Sequence, residues 1–483
     1  MKAYLRAISL LLGLLIPLSP ALGDEYRPFT NSTGKTIVAK VLSITNGQVA
    51  IALKSGREFT IPATSLSPAD QEYLNAWTSS TAPTLSTNGI SAQTINEAIG
   101  HELFGPMTLW DSNPEAIATR LKWKRESKTA IGESYRAYPK EDYRFFDARP
   151  HSIALYGEEE KITSLSIVFA NKGDSFSAGG SGEDHFINGK PVPGGMDGVR
   201  IIMQNDADVI SLGLTELLGE SETQKFGEGE SRVDVKRWDW AGHSFLLSHV
   251  EDEYVSLAVQ TVSFADARGR LARVSDATVR ERARSFVEQR ENGDVVISNI
   301  PMVDQGPKGY CVPATAERCM RFLGLPADMY LLAMVGETSA GGGTSVDLLL
   351  SNIGRDIKRK GRSFEIETGE LKMRDIQRSI DDGIPIIWAC YSTSEFNKTS
   401  SERTKLRKTE PWSSYQSLTA AAAESPALYP DRDKGHVVII MGYNKDTNEI
   451  AFSDSWGERY LERWITVPEA EQVSQNRFYI INL

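Results

Sequence analysis

The run Val303-Asp304-Gln305-Gly306-Pro307-Lys308-Gly309-Tyr310-Cys311-Val312-Pro313-Ala314-Thr315 changes character partway along. It has a loop's composition as far as Tyr310. Ala314 to Leu323 is then rich in helix formers, and the apolar residues Val312, Ala316, Cys319 and Leu323 fall on one helical face. Pro313 suits a first helical turn, where its missing N–H costs nothing. Cys311 is therefore expected at a helix N-terminus, where unpaired N–H groups and the positive end of the dipole favour a nucleophilic thiolate. Gln305, six positions upstream, can bring a side-chain NH2 toward the same spot. With the Cys311 backbone N–H as second donor, the pair makes an oxyanion hole.

A nucleophile needs a base. Of the six histidines (His101, His151, His185, His243, His249 and His436), only His436 follows Cys311. It opens the run His436 to Tyr443, which reads as a buried strand. Polar residues Asn444 to Asn448 follow, then Ile450-Ala451-Phe452-Ser453-Asp454-Ser455-Trp456-Gly457. Two apolar runs about a short polar turn predict an antiparallel hairpin. A turn centred near Lys445 sets Asp454 across the ladder from His436, within reach to orient its imidazole and fix its tautomer. Cys311, His436, Asp454 and Gln305 then supply nucleophile, base, orienter and oxyanion donor.

These residues resemble the papain-like cysteine peptidases. Gln-Gly-x-x-Gly-x-Cys stands as Gln305 to Cys311, and the His-then-Asn-Ser-Trp-Gly pattern as His436 with Asp454-Ser455-Trp456-Gly457. An aspartate as third member, and no Ser-Cys-Trp at the nucleophile, look more like the double-glycine-leader (bacteriocin-processing) peptidases of that clan. The resemblance covers residues 295–483. It implies a papain-like α+β fold, a thiolate–imidazolium pair, attack on a peptide carbonyl of a peptide or protein substrate, a thioester intermediate and no cofactor. Gly342 and Gly343, in Gly341-Gly342-Gly343-Thr344-Ser345 before a helix expected to reach Ile357, resemble the glycine pair along which a substrate backbone lies; a plain turn before a helix cap is the other reading. The same resemblance puts Trp456 among the substrate-binding residues.

At 483 residues the chain has room for several cores, so a multidomain α+β protein is expected. Residues 1–23, with Lys2, Arg6 and an apolar run from Ile8 to Leu18, read as a signal peptide, and no stretch is long enough to span a bilayer. Export to a secreted or periplasmic location follows. Residues 24–78 read as a small β-barrel: Thr36 to Ser43, an Asn46-Gly47 turn, Gln48 to Leu53, and a helix capped at Ser67-Pro68. Down to Leu66-Ser67-Pro68-Ala69-Asp70-Gln71-Glu72-Tyr73-Leu74, this unit resembles the SH3-like first homology domain of a cortical actin-patch adaptor. The resemblance implies a module for a peptide or glycan ligand; a solubilising spacer is the alternative. Residues 79–93 read as a Ser/Thr/Pro-rich linker.

Residues 94–275 read as an α+β domain. A helix capped by Asp111-Ser112-Asn113-Pro114-Glu115 and reaching about Leu121, a hairpin of His151–Tyr156 with Ile162–Ala170, helix at Val209–Leu218 and a meander of Val233–Trp240, Ser244–Val250 and Tyr254–Ser263 are expected. His243 and His249 share a strand face, but nothing beside them suggests a metal site, and none is expected. Residues 276–294 read as a charged, helix-like connector. In the last domain, residues 392–434 read as a long polar insertion of the kind that shapes a cleft or acts as a lid.

The three cysteines are too few for a disulfide scaffold; Cys319 and Cys390 either pair or lie buried as small hydrophobes. A net charge of −11 without a basic stripe excludes nucleic acid as partner. The expectation is an exported thiol-dependent peptidase. A transamidase or deamidase using the same triad, or a non-catalytic binding protein on a papain-like scaffold, are the alternatives.

Overall fold

Strands set by tight turns build the N-terminal part of the chain. β1 (Arg27–Thr30), β2 (Thr36–Thr45), β3 (Gln48–Leu53) and β4 (Glu58–Pro62) form a four-stranded antiparallel meander, followed by α1 (Pro68–Ser80). Phe29, Ala39, Val41, Val49, Ile51, Leu66 and Leu74 make its core. Asp70, in the first turn of α1, accepts from Thr30 N (2.8 Å) and pairs with Arg27 (2.9 Å), which fastens the helix to β1. Thr45 lies opposite Gln48.

The computed structural model describes residues 26–482 except 33, 46–47, 55–57, 81–85, 88, 179–185, 188–189, 271–273, 326, 342 and 360–361. The signal-peptide reading, the Asn46-Gly47 turn and part of the expected linker lie outside the described residues. The chain divides into two units, Met1–Thr84 and Leu85–Leu483. Among the described residues, no helix is long and apolar enough to cross a membrane.

The second unit is built on two eight-stranded sheets. The first contains β5 (Lys124–Thr129), β6 (Gly132–Ala137), β7 (Ser152–Glu158), β8 (Lys161–Asn171), β9 (Glu222–Phe226), β10 (Val233–Trp240), β11 (His243–Val250) and β12 (Tyr254–Thr261). Its order is β9-β10-β11-β12-β8-β7-β6-β5, antiparallel throughout. The expected short helix α2 (Pro114–Leu121) is present, with the Asn113 side chain accepting from Ala116 N and Pro114 in its first turn. Helix at 209–218 is the end of a much longer one: α3 (Gly195–Leu218) runs 24 residues and packs Val199, Ile202, Met203, Ile210 and Leu214 into the core of this sheet. Trp238 and Trp240 are buried there too, with their ring N–H groups donated to Gly219 O and Ile90 O. His243 is buried, accepting from Leu109 N at 2.9 Å, whereas His249 is exposed.

The charged connector is helical only as α4 (Asp276–Ser285). Its end becomes β13 (Val287–Gln289), which pairs with β14 (Asp294–Ile297) and joins the second sheet. There follow α5 (Cys311–Phe322), α6 (Met329–Val335), α7 (Val346–Arg359), β15 (Ser363–Thr368), α8 (Met373–Asp381), β16 (Ile386–Tyr391), α9 (Ser394–Thr409), α10 (Trp412–Glu424), β17 (Gly435–Asn444), β18 (Glu449–Ser453), β19 (Arg463–Thr466), α11 (Val467–Val473) and β20 (Ser474–Asn482). The sheet order is β13-β14-β17-β16-β20-β15, with β18 bridging β17 and β19.

The polar insertion at 392–434 is thus mostly two helices. α9 docks through buried ion pairs, Arg403 to Glu469 (2.8 Å) and Arg407 to Asp294 and Glu449, and α10 through the Tyr415 hydroxyl, which donates to Glu449. Val168 of β8 shares a buried cluster with Val303 and Tyr310 of the nucleophile loop, Ala314 of α5 and Met329, Tyr330 and Ala333 of α6, so the first sheet is packed against the nucleophile loop itself.

Candidate active site

Cys311 is the first residue of α5, as its place before Pro313 predicts, and it is part-exposed. The helix behind it is buried far more completely than a single apolar stripe implies: Thr315, Glu317 and Arg318 are sealed along with Val312, Ala316 and Cys319. Cys319 and Cys390 are free and buried. Burial pushes the Cys319 thiol up to about 12 and raises that of Cys390 as well, which leaves both inert as nucleophiles.

β17 carries His436, and β16 sets Cys390 directly opposite it. The β17–β18 hairpin departs from the expected register. Ile439 faces Ser453 and Tyr443 faces Ile450, with a bulge between Ile440 and Gly442. By that ladder Asp454 falls just past the end of β18 and is not the cross-strand partner of His436. The side chains meet nevertheless: His436 Nε2 lies 2.8 Å from Asp454 Oδ1. Cys311 lies close enough to the same imidazole to be among the influences that raise its pKa, and with Nε2 on Asp454, Nδ1 is the nitrogen left free to serve the sulfur. Burial pulls the imidazole pKa down. The charge and hydrogen bond of Asp454, with the influence of Cys311, outweigh it and hold His436 up at about 10.

Asp454 is fully buried and well supplied with donors. Oδ1 also accepts from Ser455 N (2.9 Å), Oδ2 lies 3.5 Å from Arg463 Nη1, and the main-chain carbonyl accepts from Arg318 Nη1 (3.0 Å). Trp456 stacks on His436 with ring centroids 4.8 Å apart, and Tyr460 meets Trp456 edge-on. Trp456 thereby covers one face of the imidazole.

Gln305 is buried, and its backbone N–H donates to Ser455 O at 2.9 Å, tying it to the residue after Asp454. Its Nε2 donates to Lys308 O at 3.4 Å and retains a second N–H; Oε1 is buried with no hydrogen-bond partner among the described residues. Gly342 lies outside the described residues. Gly343, at φ +93°, donates its N–H to Gly309 O (3.2 Å) and accepts at its carbonyl from Ser339 N (3.0 Å). Its main chain is thus tied to the nucleophile loop.

Two arginines absent from the sequence reading hold the site together. Arg318, two turns beyond Cys311, is fully buried and donates to Pro301 O (2.8 Å), Asp454 O, Ser453 Oγ (2.5 Å) and Ser455 Oγ (3.4 Å). It joins the nucleophile helix to the corner bearing Asp454. Arg463, on β19, reaches Asp454, the carbonyl of Asn397 and its Oδ1. Nothing in a helical run distinguishes an arginine that faces water from one that faces buried carbonyls. Arg318→Met is expected to lower stability by about 3 kcal/mol or more, since it strands several buried acceptors. A urea-unfolding midpoint unchanged from wild type would contradict this clamp.

Among the described residues, no group of three or more His, Cys, Asp or Glu is placed to hold a metal ion. Residues 297–481 match the family model described as Peptidase_C39 like family, which supports a C39-like peptidase domain over that span. No curated protein matches the chain.

Proposed function

We propose that the chain is an exported thiol peptidase that cleaves peptide bonds through Cys311, His436 and Asp454. The observation that carries this reading is the His436 imidazole, bonded to Asp454 at 2.8 Å and close enough to Cys311 that both residues raise its pKa. The family match supports a peptide or protein substrate.

In this reading the Cys311 sulfur attacks the scissile carbonyl, and the electron pair displaced onto oxygen is met by the second Gln305 N–H and the Cys311 backbone N–H. Collapse of the tetrahedral intermediate expels the amine, which takes its proton from the His436 imidazolium, and leaves a thioester. His436 then deprotonates a water that attacks the thioester, returning the thiol and a carboxylate. Asp454 keeps the imidazole oriented and charged. Trp456 keeps water from the ring face it covers, and the main chain at Gly343, tied to Gly309, lines the substrate path. The strand meander at Arg27–Pro62 serves as an SH3-like module for a peptide or glycan ligand.

The test is selective alkylation. Iodoacetamide at neutral pH is expected to modify Cys311 alone among the three cysteines, with peptide hydrolysis lost in step with one equivalent of label. Full activity after complete Cys311 modification would sink the proposal.

A further inference from the structure

The loop that carries Gln305 into Cys311 is held chiefly by the first sheet. Met302 N donates to Ser127 Oγ (3.0 Å) and Asp304 N to Glu126 Oε1 (2.7 Å), both on β5. The Tyr138 hydroxyl, just past β6, donates to Asp304 O. The same ring packs on Gly306, at φ +70°, so closely that a Cβ there would fall 2.8 Å from two ring carbons. At the far end of the loop, Tyr310 donates to Asn171 Oδ1 (2.7 Å), and a Cβ on Gly173 would fall 1.9 Å from the Tyr310 hydroxyl oxygen.

These braces are themselves fixed. Glu126 is buried and bonded to Arg136 (2.5 Å) and Ser134 (2.9 Å); Arg136 reaches Tyr156, whose hydroxyl donates to Glu317 on α5 (3.0 Å). Gln305 is therefore flanked by two residues, Asp304 and Gly306, that the first sheet seats, and Cys311 follows a third, Tyr310.

We propose that Tyr138, Glu126 and the Asn171–Gly173 turn are positioning residues for the peptidase reaction, setting the direction of the Gln305 amide and the seat of Cys311. The inference rests on the peptidase reading above. The first sheet is then a working layer of the active site, although its bracing residues lie more than a hundred positions upstream of the nucleophile. A donor displaced by about 1 Å costs on the order of 100-fold in rate while contributing little to substrate affinity.

The experiment uses the full chain with Tyr138→Phe, which keeps the ring and loses one hydrogen bond, and Gly173→Ala, which drives a methyl into Tyr310. A fluorogenic peptide that the wild type cleaves reports kcat and KM per titrated Cys311, and hydrogen exchange reports the amides of residues 304–310. The expected result is a kcat lower by roughly 10- to 100-fold with KM within about threefold, and faster exchange at 304–310 but not along β17. Wild-type kcat per titrated site in both variants, or exchange rising everywhere in proportion to lost stability, would overturn the proposal. If the wild type itself cleaves no peptide, the peptidase reading falls, and the exchange pattern alone decides whether the brace exists.

Discussion

Replacing Cys311 by alanine is expected to slow peptide hydrolysis by roughly 10⁴- to 10⁶-fold while leaving the protein folded. In the proposed mechanism the sulfur is the one group that forms the thioester, and what survives its loss is only the help given by oxyanion donors and substrate binding. The side chain is part-exposed at the first position of α5, where alanine is well tolerated, so the thermal midpoint should hardly move. Cys319→Ala is the control: that thiol is buried in the core behind the site, so stability falls while the rate per folded molecule stays. Substrate profiling of the Cys311→Ala protein checks the claim. A residual rate above about one hundredth of wild type would mean that another group attacks the substrate.

The second large effect is expected from Asp454→Asn. Asparagine keeps the shape and an acceptor for His436 but loses the charge. Without that charge, burial is the main influence left on the imidazole and draws its pKa down from about 10. The imidazolium needed to protonate the leaving amine is then scarce at neutral pH, and kcat/KM should fall by about 10²- to 10⁴-fold, with the basic limb of the pH–rate profile moved to lower pH. Stability follows the same group. A histidine whose folded pKa is raised contributes stability that is fully present below the unfolded value of about 6.5 and is lost as pH rises through the folded value. The wild type should therefore lose part of its stability between pH 6.5 and about 10, and Asp454→Asn should lack that part from the start. A basic limb identical in the two proteins would contradict the role given to Asp454.

The placement of Cys311, His436 and Asp454 was legible because it is written in local elements: a cysteine before a helix-starting proline, a histidine opening an apolar strand, an aspartate at the close of the next. The register between them was not. The turn centres between Asp446 and Thr447, past Lys445, and the bulge at Met441 shifts the ladder by one residue, so that Asp454 reaches His436 from beyond the strand end. Elsewhere polarity misled. Lys124–Thr129 reads as Lys-Arg-Glu-Ser-Lys-Thr and gives no strand signal, yet it is β5. Its Glu126 and Ser127 are buried because they are spent on the nucleophile loop. The stretch from Ser394 to Thr409 read only as part of a long polar insertion for a similar reason: its arginines turn inward to Glu469, Asp294 and Glu449. Both failures arise where buried charge, not apolar surface, holds an element in place.

The titration of the His436 ring by NMR, with 13C-labelled histidine and His436→Asn to assign its signal among the six, tests the account most directly. Held between Cys311 and Asp454, the ring should stay protonated through neutral pH and titrate near pH 10 in the wild type, and at lower pH in Asp454→Asn. A wild-type midpoint near the ordinary histidine value of about 6.5, unmoved by Asp454→Asn, would contradict it.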